Sequence, residues 1–153
     1  MTQFDISMAI VIGPTPPGTG VMAETMIAGL VETGVDPSRI TASHRREERL
    51  AELAAYGVRT TQSNREAAGA DVVVLGLKPQ TLASVLAELR GQIRPDALVI
   101  SIVAGARVRV IADSLGHSRV VRSMPNLPCR IRQGIGVFTF FLLGAFDGIP
   151  RFF

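Results

Sequence analysis

Short apolar runs alternate with amphipathic segments along most of the chain, and each kind of segment predicts a different element. Runs such as Met8–Ile12 are rich in β-branched residues and predict buried strands. Segments such as Val21–Glu32 place their apolar residues on one side of a helix. The pattern predicts strands at Met8–Ile12, Arg39–Ala42, Val58–Thr60, Asp71–Leu77, Ala97–Ile102 and Arg119–Arg122. It predicts helices at Val21–Glu32, Glu47–Tyr56, Ser63–Ala68 with Ser63 as the cap, Gln80–Arg90 and Arg107–Leu115.

The order of these elements predicts the fold class. The Asp71–Leu77 run is apolar on both faces, as expected for a central parallel strand that helices cover on each side. Strands that alternate with helices of about ten residues form βαβ units. We therefore expect an α/β fold, a Rossmann-like, doubly wound and mostly parallel sheet with helices on both faces.

The character of the chain changes after Arg132, where phenylalanine becomes frequent. Six of the seven phenylalanines lie between Phe138 and Phe153. One more buried strand could use some of them, but the last residues are too apolar for a solvated terminus. We treat residues 137–153 as a Phe-rich tail of unknown role, which packs on this domain, contacts a partner chain (a second copy included) or meets a missing part of the protein.

Composition narrows the class of protein. A chain of 153 residues with 47% apolar side chains provides one domain. The single cysteine, Cys129, cannot form an internal disulfide, which favours a reducing, cytoplasmic compartment. The amino terminus lacks the basic cluster of a signal peptide. The longest apolar stretch, Gly134–Phe146, would reach only about 20 Å as a helix against a hydrocarbon core of about 30 Å, so no membrane association is expected.

The basic residues are almost all arginines, since Lys78 is the only lysine in the chain. The formal net charge is +3, and no basic run is interleaved with aromatic residues. We therefore expect no nucleic-acid partner and interpret the excess charge as a solvated face with an arginine bias.

A glycine motif opens the first predicted helix. Gly18, Gly20 and Ala23 fit the G-x-G-x-x-G/A pattern, in which the first glycine permits a tight turn and the second lets a pyrophosphate approach the backbone. Free backbone amides and the helix dipole favour phosphate there. The motif predicts a dinucleotide-binding domain over residues 8–136, although the same glycines could form only a turn. The prolines in the sequence GPTPP, residues 13–17, make this loop longer than usual.

The tip of the second strand carries basic residues where an NAD site would carry an acid. The sequence there reads Ser43, His44, Arg45 and Arg46. Guanidinium groups form bidentate bonds with phosphate oxygens, so this tip favours NADP(H), with NAD(H) as the alternative. Another reading is that the two arginines pair with Glu48 and Glu52 along the helix, and both readings can hold together.

The remaining candidates lie just past strand ends, where ligands bind in open α/β sheets. They are Lys78 and Pro79, Ala104 and Gly105, and Met124 to Asn126. A solvated helix start explains Lys78 equally well. His117 and Cys129 lack partners in any catalytic or metal-binding pattern and are taken as structural, so the residues themselves indicate no catalytic group and no metal site.

Together these segments resemble the amino-terminal domain of the pyrroline-5-carboxylate reductase family, from about Met8 to Gly136. The resemblance rests on GTGVMAETMIAGL, SHRR, Asn64, VVVLGLKPQ, LVISIVAG and VVRSMPNLP, in family order. It implies that the glycine loop holds the pyrophosphate through Gly18, Thr19, Gly20, Val21 and Met22. It implies that Ser43, Arg45 and Arg46 contact the adenosine phosphate and that Asn64 contacts the adenosine ribose. The nicotinamide side would be lined by Leu77, Lys78, Pro79, Val103, Ala104 and Gly105, with Asn126 beside the reacting ring.

The resemblance implies an NAD(P)H-dependent oxidoreductase that transfers a hydride to the C=N bond of a small cyclic imine, 1-pyrroline-5-carboxylate, and so forms proline. The family continues into a helical domain that this sequence lacks, and Ala23 and Leu127 replace its usual glycine and threonine. We therefore expect a truncated form. The alternatives are a non-catalytic dinucleotide-binding module and a relative of the deazaflavin-dependent NADP reductases. The LKPQ and MPNLP segments favour the first function over the last.

Overall fold

The computed structural model describes residues 6–13, 21–125 and 136–141. The strands are β1 (Met8–Ile12), β2 (Ile40–Ser43), β3 (Arg59–Thr61), β4 (Val72–Gly76), β5 (Leu98–Ser101), β6 (Val120–Pro125) and β7 (Gly136–Phe141). The helices are α1 (Val21–Glu32), α2 (Glu47–Ala54), α3 (Asn64–Ala67), α4 (Pro79–Leu89) and α5 (Val108–Leu115), with a short 3-10 helix at Pro37–Arg39. Within these ranges no helix has both the length and the apolar character needed to cross a bilayer.

The strands form one sheet in the order β3-β2-β1-β4-β5-β6-β7. The first six run parallel, and β7 pairs antiparallel with β6 at one edge. The predicted Rossmann-like, mostly parallel fold is therefore confirmed. The sheet also includes residues 137–141, which the sequence analysis assigned to the tail, because β7 pairs with β6 along its whole length.

Helices cover both faces of the sheet, as the apolar character of β4 predicts. Side chains of β1 alternate between two cores, so that Val11 contributes to one and Ile10 to the other. The first core receives α4 and α5, through residues such as Leu89 and Ile111. The second receives α1 and α2, through residues such as Ile27. A strand buried on both faces has no room for polar side chains, so these must collect at the strand ends.

The register aligns the carboxyl ends of four neighbouring strands. Val11 of β1 pairs with Ser43 of β2 on one side and with Leu75 of β4 on the other. Leu75 in turn pairs with Ser101 of β5. The segments that follow these residues therefore emerge at one edge of the sheet, the carboxyl edge. The order of strands reverses between β1 and β4, which is where ligands bind in this class of fold.

Candidate functional site

The start of α1 packs very closely against the end of β4. Ala23 is 2% exposed. A Cβ atom added to Gly76 would lie 3.1 Å from the Cβ of Ala23 and 3.7 Å from the Cδ1 of Ile102. The third, small residue of the glycine motif therefore has the packing role that the motif requires. Val21 and Met22 begin α1, and Gly18, Thr19 and Gly20 lie outside the described residues.

A second glycine, not singled out by the sequence, allows a close approach at the end of β1. A Cβ atom added to Gly13 would lie 2.9 Å from the Cδ2 of Leu77 and 3.0 Å from the Oγ1 of Thr81. The β1 strand therefore ends directly against the turn that leads into α4. Its place directly after a buried strand was the only sequence signal for this residue.

A chain of polar contacts joins three of the predicted residues at the tip of β2. Ser43 is fully buried, and its Oγ donates to the Oδ1 of Asn64 at 2.9 Å. Asn64 is 5% exposed, and its Nδ2 donates to the Oε2 of Glu88 at 3.0 Å. The same Oε2 lies 3.7 Å from the Nη2 of Arg45. The fold thus brings Ser43, Asn64 and Arg45 together and adds Glu88, an acid on α4 that the sequence analysis missed.

The ion pairs here differ from those that the sequence offered as an alternative. Arg45 pairs with Glu88, and Glu52 pairs with Arg49. Arg49 also donates to Glu24 on α1 at 3.0 Å, so it connects α2 to α1. For Arg45, the alternative reading of a pair with Glu48 or Glu52 is therefore wrong, because its ion pair is with the acid of α4. The Arg45 side chain remains 61% exposed.

His44, which follows Ser43, is buried beside this cluster. The side chain is 1% exposed, and its Nδ1 accepts the backbone N–H of Arg46 at 3.0 Å. Its buried Nε2 makes no hydrogen bond of full geometry within the part of the chain that the structure describes, although the backbone of Gly13 is near enough to raise the pKa of the ring. Burial lowers the pKa of His44, and the positive charge of Arg49 lowers it further. The ring is therefore neutral near pH 7 with its proton on Nε2, since Nδ1 is an acceptor.

The turns after β4 and β5 complete the same edge. Leu77 is 7% exposed, the half-buried Lys78 stands at the N-cap of α4, and Pro79 is the exposed first residue of that helix. After β5 the backbone N–H of the fully buried Val103 donates to the Oγ of Ser101 at 3.3 Å.

Ala104 and Gly105, which follow Val103, are exposed, and Gly105 has a φ of +73°, which favours glycine. Asn126, the last predicted residue, lies outside the described residues.

This edge fits a dinucleotide. The close helix–strand contact at Ala23 is the packing that the third position of the glycine motif requires. The exposed guanidinium of Arg45 is linked through Glu88 and Asn64 to the buried hydroxyl of Ser43. The residues could thus hold phosphate and ribose groups.

Comparisons with known proteins agree with this geometry. A family model described as NADP oxidoreductase, coenzyme F420-dependent, matches residues 18–105. A pyrroline-5-carboxylate reductase of Pseudomonas aeruginosa is 42% identical over 120 residues, which cover 76% of this chain and 44% of that protein. A pyrroline-5-carboxylate reductase of Pisum sativum is 34% identical over 124 residues, which cover 80% of this chain and 45% of that protein. The chain therefore spans slightly less than half the length of these relatives.

Solved structures give the same result for the fold. A pyrroline-5-carboxylate reductase from Coxiella burnetii aligns with a TM-score of 0.79 and 34% identity, covering 88% of this chain and 49% of that one. A Plasmodium falciparum pyrroline carboxylate reductase, solved with NADP bound, aligns with a TM-score of 0.73 and 21% identity over 89% of this chain and 48% of that one. At that identity the second likeness concerns the fold alone.

Proposed function

We propose a function from one premise: the chain belongs to the family of NADP oxidoreductases described as coenzyme F420-dependent. The carboxyl edge of the sheet binds NADP(H), with NAD(H) as the weaker alternative. Ser43, Arg45 and Arg46 contact the 2′-phosphate, and Asn64 contacts the adenosine ribose. The observation that carries this proposal is the exposed guanidinium of Arg45 at the tip of β2, beside the buried Ser43 and Asn64.

The rest of the cofactor follows the same edge toward β5. Gly18, Thr19, Gly20, Val21 and Met22 contact the pyrophosphate, where the amides and the dipole at the start of α1 favour negative charge. The nicotinamide side is lined by Leu77, Lys78, Pro79, Val103, Ala104 and Gly105, with Asn126 beside the ring. When bound, the cofactor supplies the hydride. The residues of this chain orient the ring and exclude water from it.

For the reaction, we propose reduction of a small cyclic imine, as the names of the relatives suggest. The substrate class is 1-pyrroline-5-carboxylate, and the product is proline. No acid among the described residues is assigned to hold the proton of the imine nitrogen. A partner chain or a second copy, docked through residues 137–153, completes the substrate site. The cytoplasmic location expected from the single cysteine is part of the same proposal.

A non-catalytic dinucleotide-binding module is the second candidate. It rests on the match of the family model to residues 18–105, which include most of the candidate cofactor site. A deazaflavin-dependent NADP reductase is a third candidate, favoured by the description of the matching family model. All three functions share the cofactor site and differ in what reacts there.

The experiment that tests the shared cofactor site compares two glycine variants by calorimetric titration with NADPH. Gly20→Val should abolish binding, because a side chain there blocks the approach of the pyrophosphate to the backbone. Gly29→Ala is the matched control, since an added Cβ there meets nothing within 4 Å, and it should bind normally. Unchanged NADPH affinity in Gly20→Val would remove the loop from the site.

A second assay separates the three candidate functions. It follows oxidation of NADPH with 1-pyrroline-5-carboxylate, or of a reduced deazaflavin with NADP, by the chain alone and with candidate partner chains. Turnover of the imine supports the reductase, turnover of the deazaflavin supports the third candidate, and binding without either supports the module.

A further inference from the structure

We propose that Glu88 is a specificity-determining residue that limits the preference of this chain for NADP(H) over NAD(H). Its carboxylate stands against the guanidinium that would bind the 2′-phosphate. The inference rests on the proposed function and adds a residue to the same site. Neither the glycine motif nor the resemblance in sequence pointed to this acid.

The geometry places the carboxylate in competition with a phosphate. The Oε2 of Glu88 lies 3.7 Å from the Nη2 of Arg45. A phosphate oxygen bound to Arg45 would lie about 2.7–2.9 Å from these nitrogen atoms, on the same guanidinium that Glu88 now faces. To form bidentate hydrogen bonds with the 2′-phosphate, Arg45 must therefore either lose its ion pair with Glu88 or bind both anions at once.

The carboxylate cannot withdraw without further cost. The Nδ2 of Asn64 donates to the same Oε2 at 3.0 Å, and Asn64 is itself fixed by the buried hydroxyl of Ser43 at 2.9 Å. The helix that carries Glu88 is also anchored, since its neighbours Leu89 and Leu86 are 0% and 2% exposed. Glu88 thus remains near the phosphate position when the cofactor binds, and two like charges share the pocket.

The two cofactors differ in the group that they place near the Glu88 carboxylate. A 2′-phosphate carries up to two negative charges near neutral pH, and Coulomb repulsion from a carboxylate a few ångströms away weakens its binding. The ribose of NAD(H) presents hydroxyl groups there, which can donate to a carboxylate. The Glu88 carboxylate therefore lowers the affinity for NADP(H) and has little effect on the affinity for NAD(H).

Calorimetric titration of three forms of the 153-residue chain with NADPH and NADH tests this inference. In Glu88→Gln the NADPH affinity should rise about three- to tenfold, and the NADH affinity should change less than about twofold. Glu48→Gln is the matched control, because it removes one negative charge from an exposed acid at the start of α2. Both affinities of Glu48→Gln should stay within about twofold of the parent. The gain in Glu88→Gln should shrink as salt is added, since salt screens the repulsion.

A second variant covers the case in which glutamine disturbs folding. Glu88→Asp keeps the charge but withdraws it by one methylene, and its NADPH affinity should rise in the same direction by a smaller factor. A melting curve for each variant confirms that the chain is folded during the titration.

The outcomes distinguish an error in the role of Glu88 from an error in the proposed cofactor binding. An unchanged or weakened NADPH affinity in Glu88→Gln, with NADPH still bound, overturns the role of Glu88 alone. An equal gain in Glu48→Gln does the same, because the effect would then be one of net charge. Failure of the parent chain and every variant to bind either cofactor contradicts the proposed function, and this inference with it.

Discussion

The two edges of the sheet use polar groups in opposite ways. At the amino edge, the backbone N–H and Oγ of Ser7 donate to the Oδ2 of Asp71 at 2.8 and 2.7 Å. The Nη1 of Arg94 donates to the other oxygen of Asp71 at 2.8 Å. At the carboxyl edge, the Arg45 side chain is 61% exposed and its Nη2 lies 3.7 Å from the Oε2 of Glu88.

This difference indicates which edge stabilises the fold and which is available to a ligand. Polar groups that satisfy one another tie β1 to β4 and gain nothing from an added molecule. Polar groups that are held in place yet incompletely paired lose little when a ligand replaces their contacts. Substitutions at the two edges should therefore separate stability from cofactor binding.

The largest expected effect comes from Gly76→Val, which should lower both the stability and the cofactor affinity. A Cβ at this position lies 3.1 Å from the Cβ of Ala23, so α1 must move away from the sheet. Overpacking of this kind costs about 1–3 kcal/mol of unfolding free energy, and it also displaces the glycine loop. Urea unfolding and NADPH titration should show that both properties fall together. Stability that falls while NADPH affinity stays normal would show that the position of α1 does not matter to the cofactor.

Arg45→Ala should affect binding alone. Loss of its guanidinium removes a charge-assisted bond to the 2′-phosphate, worth about 1.5–3 kcal/mol of NADPH binding free energy. The NADH affinity and the Tm should remain close to those of the parent, because this side chain is 61% exposed. Titration with both cofactors checks this prediction, and equal losses for NADPH and NADH would count against a 2′-phosphate site.

Asp71→Asn should affect stability alone. The Ser7 hydroxyl and backbone amide lower the pKa of Asp71 below its ordinary value of 3.8. A carboxyl with a lowered pKa contributes stability above that ordinary value and loses it as the pH falls through the folded pKa. The variant should melt several degrees lower at neutral pH and lose less stability on acidification. NADPH affinity should be normal at temperatures where the variant is folded.

The control for Asp71→Asn is Arg109→Ala, at an exposed ion pair 3.9 Å long on α5, which should change the unfolding free energy by less than about 0.5 kcal/mol. A fall in NADPH affinity for folded Asp71→Asn would contradict the assignment of the amino edge to stability.

His44→Gln has the smallest expected effect, visible in the pH dependence of stability. Burial lowers the pKa of His44 below its ordinary value of 6.5. As the pH falls through that value, the unfolded chain binds a proton that the folded chain does not, so the unfolding free energy decreases until the folded pKa is reached. Urea unfolding at several pH values should show a shallower decrease in the variant. Identical slopes would mean that the histidine titrates alike in both states.

The fold was predictable because the spacing of apolar residues along the sequence indicates which positions are buried. The bounds of β1 and α1 agree with the sequence prediction, since both elements show a clear apolar pattern. β2 begins one residue later than predicted, at Ile40, because the 3-10 helix takes up Arg39. β6 extends to Pro125, beyond the predicted Arg122, because β7 pairs with its last residues. A partner strand from a later segment leaves no mark in the local pattern of β6.

The site was predictable only in part. Ser43 was found from its place at the tip of the second strand and Asn64 through the family resemblance. Their contact at 2.9 Å follows from the parallel register of β2 and β3, in which Ser43 pairs with Thr61. Glu88 could not be found in this way, since nothing in the sequence around an acid on an amphipathic helix indicates which arginine it will face. The tertiary packing of α4 decides that contact, and it also decides that Arg45 pairs with Glu88 instead of an acid on α2.

The most direct test of the account is calorimetric titration of the parent chain with NADPH and then with NADH. The account predicts that both cofactors bind and that NADPH binds more tightly, because the 2′-phosphate gains Arg45 and Arg46 while Glu88 only reduces that gain. Tighter binding of NADH would contradict the phosphate site at the tip of β2. No binding of either cofactor at concentrations in the millimolar range would contradict the assignment of the carboxyl edge to a dinucleotide.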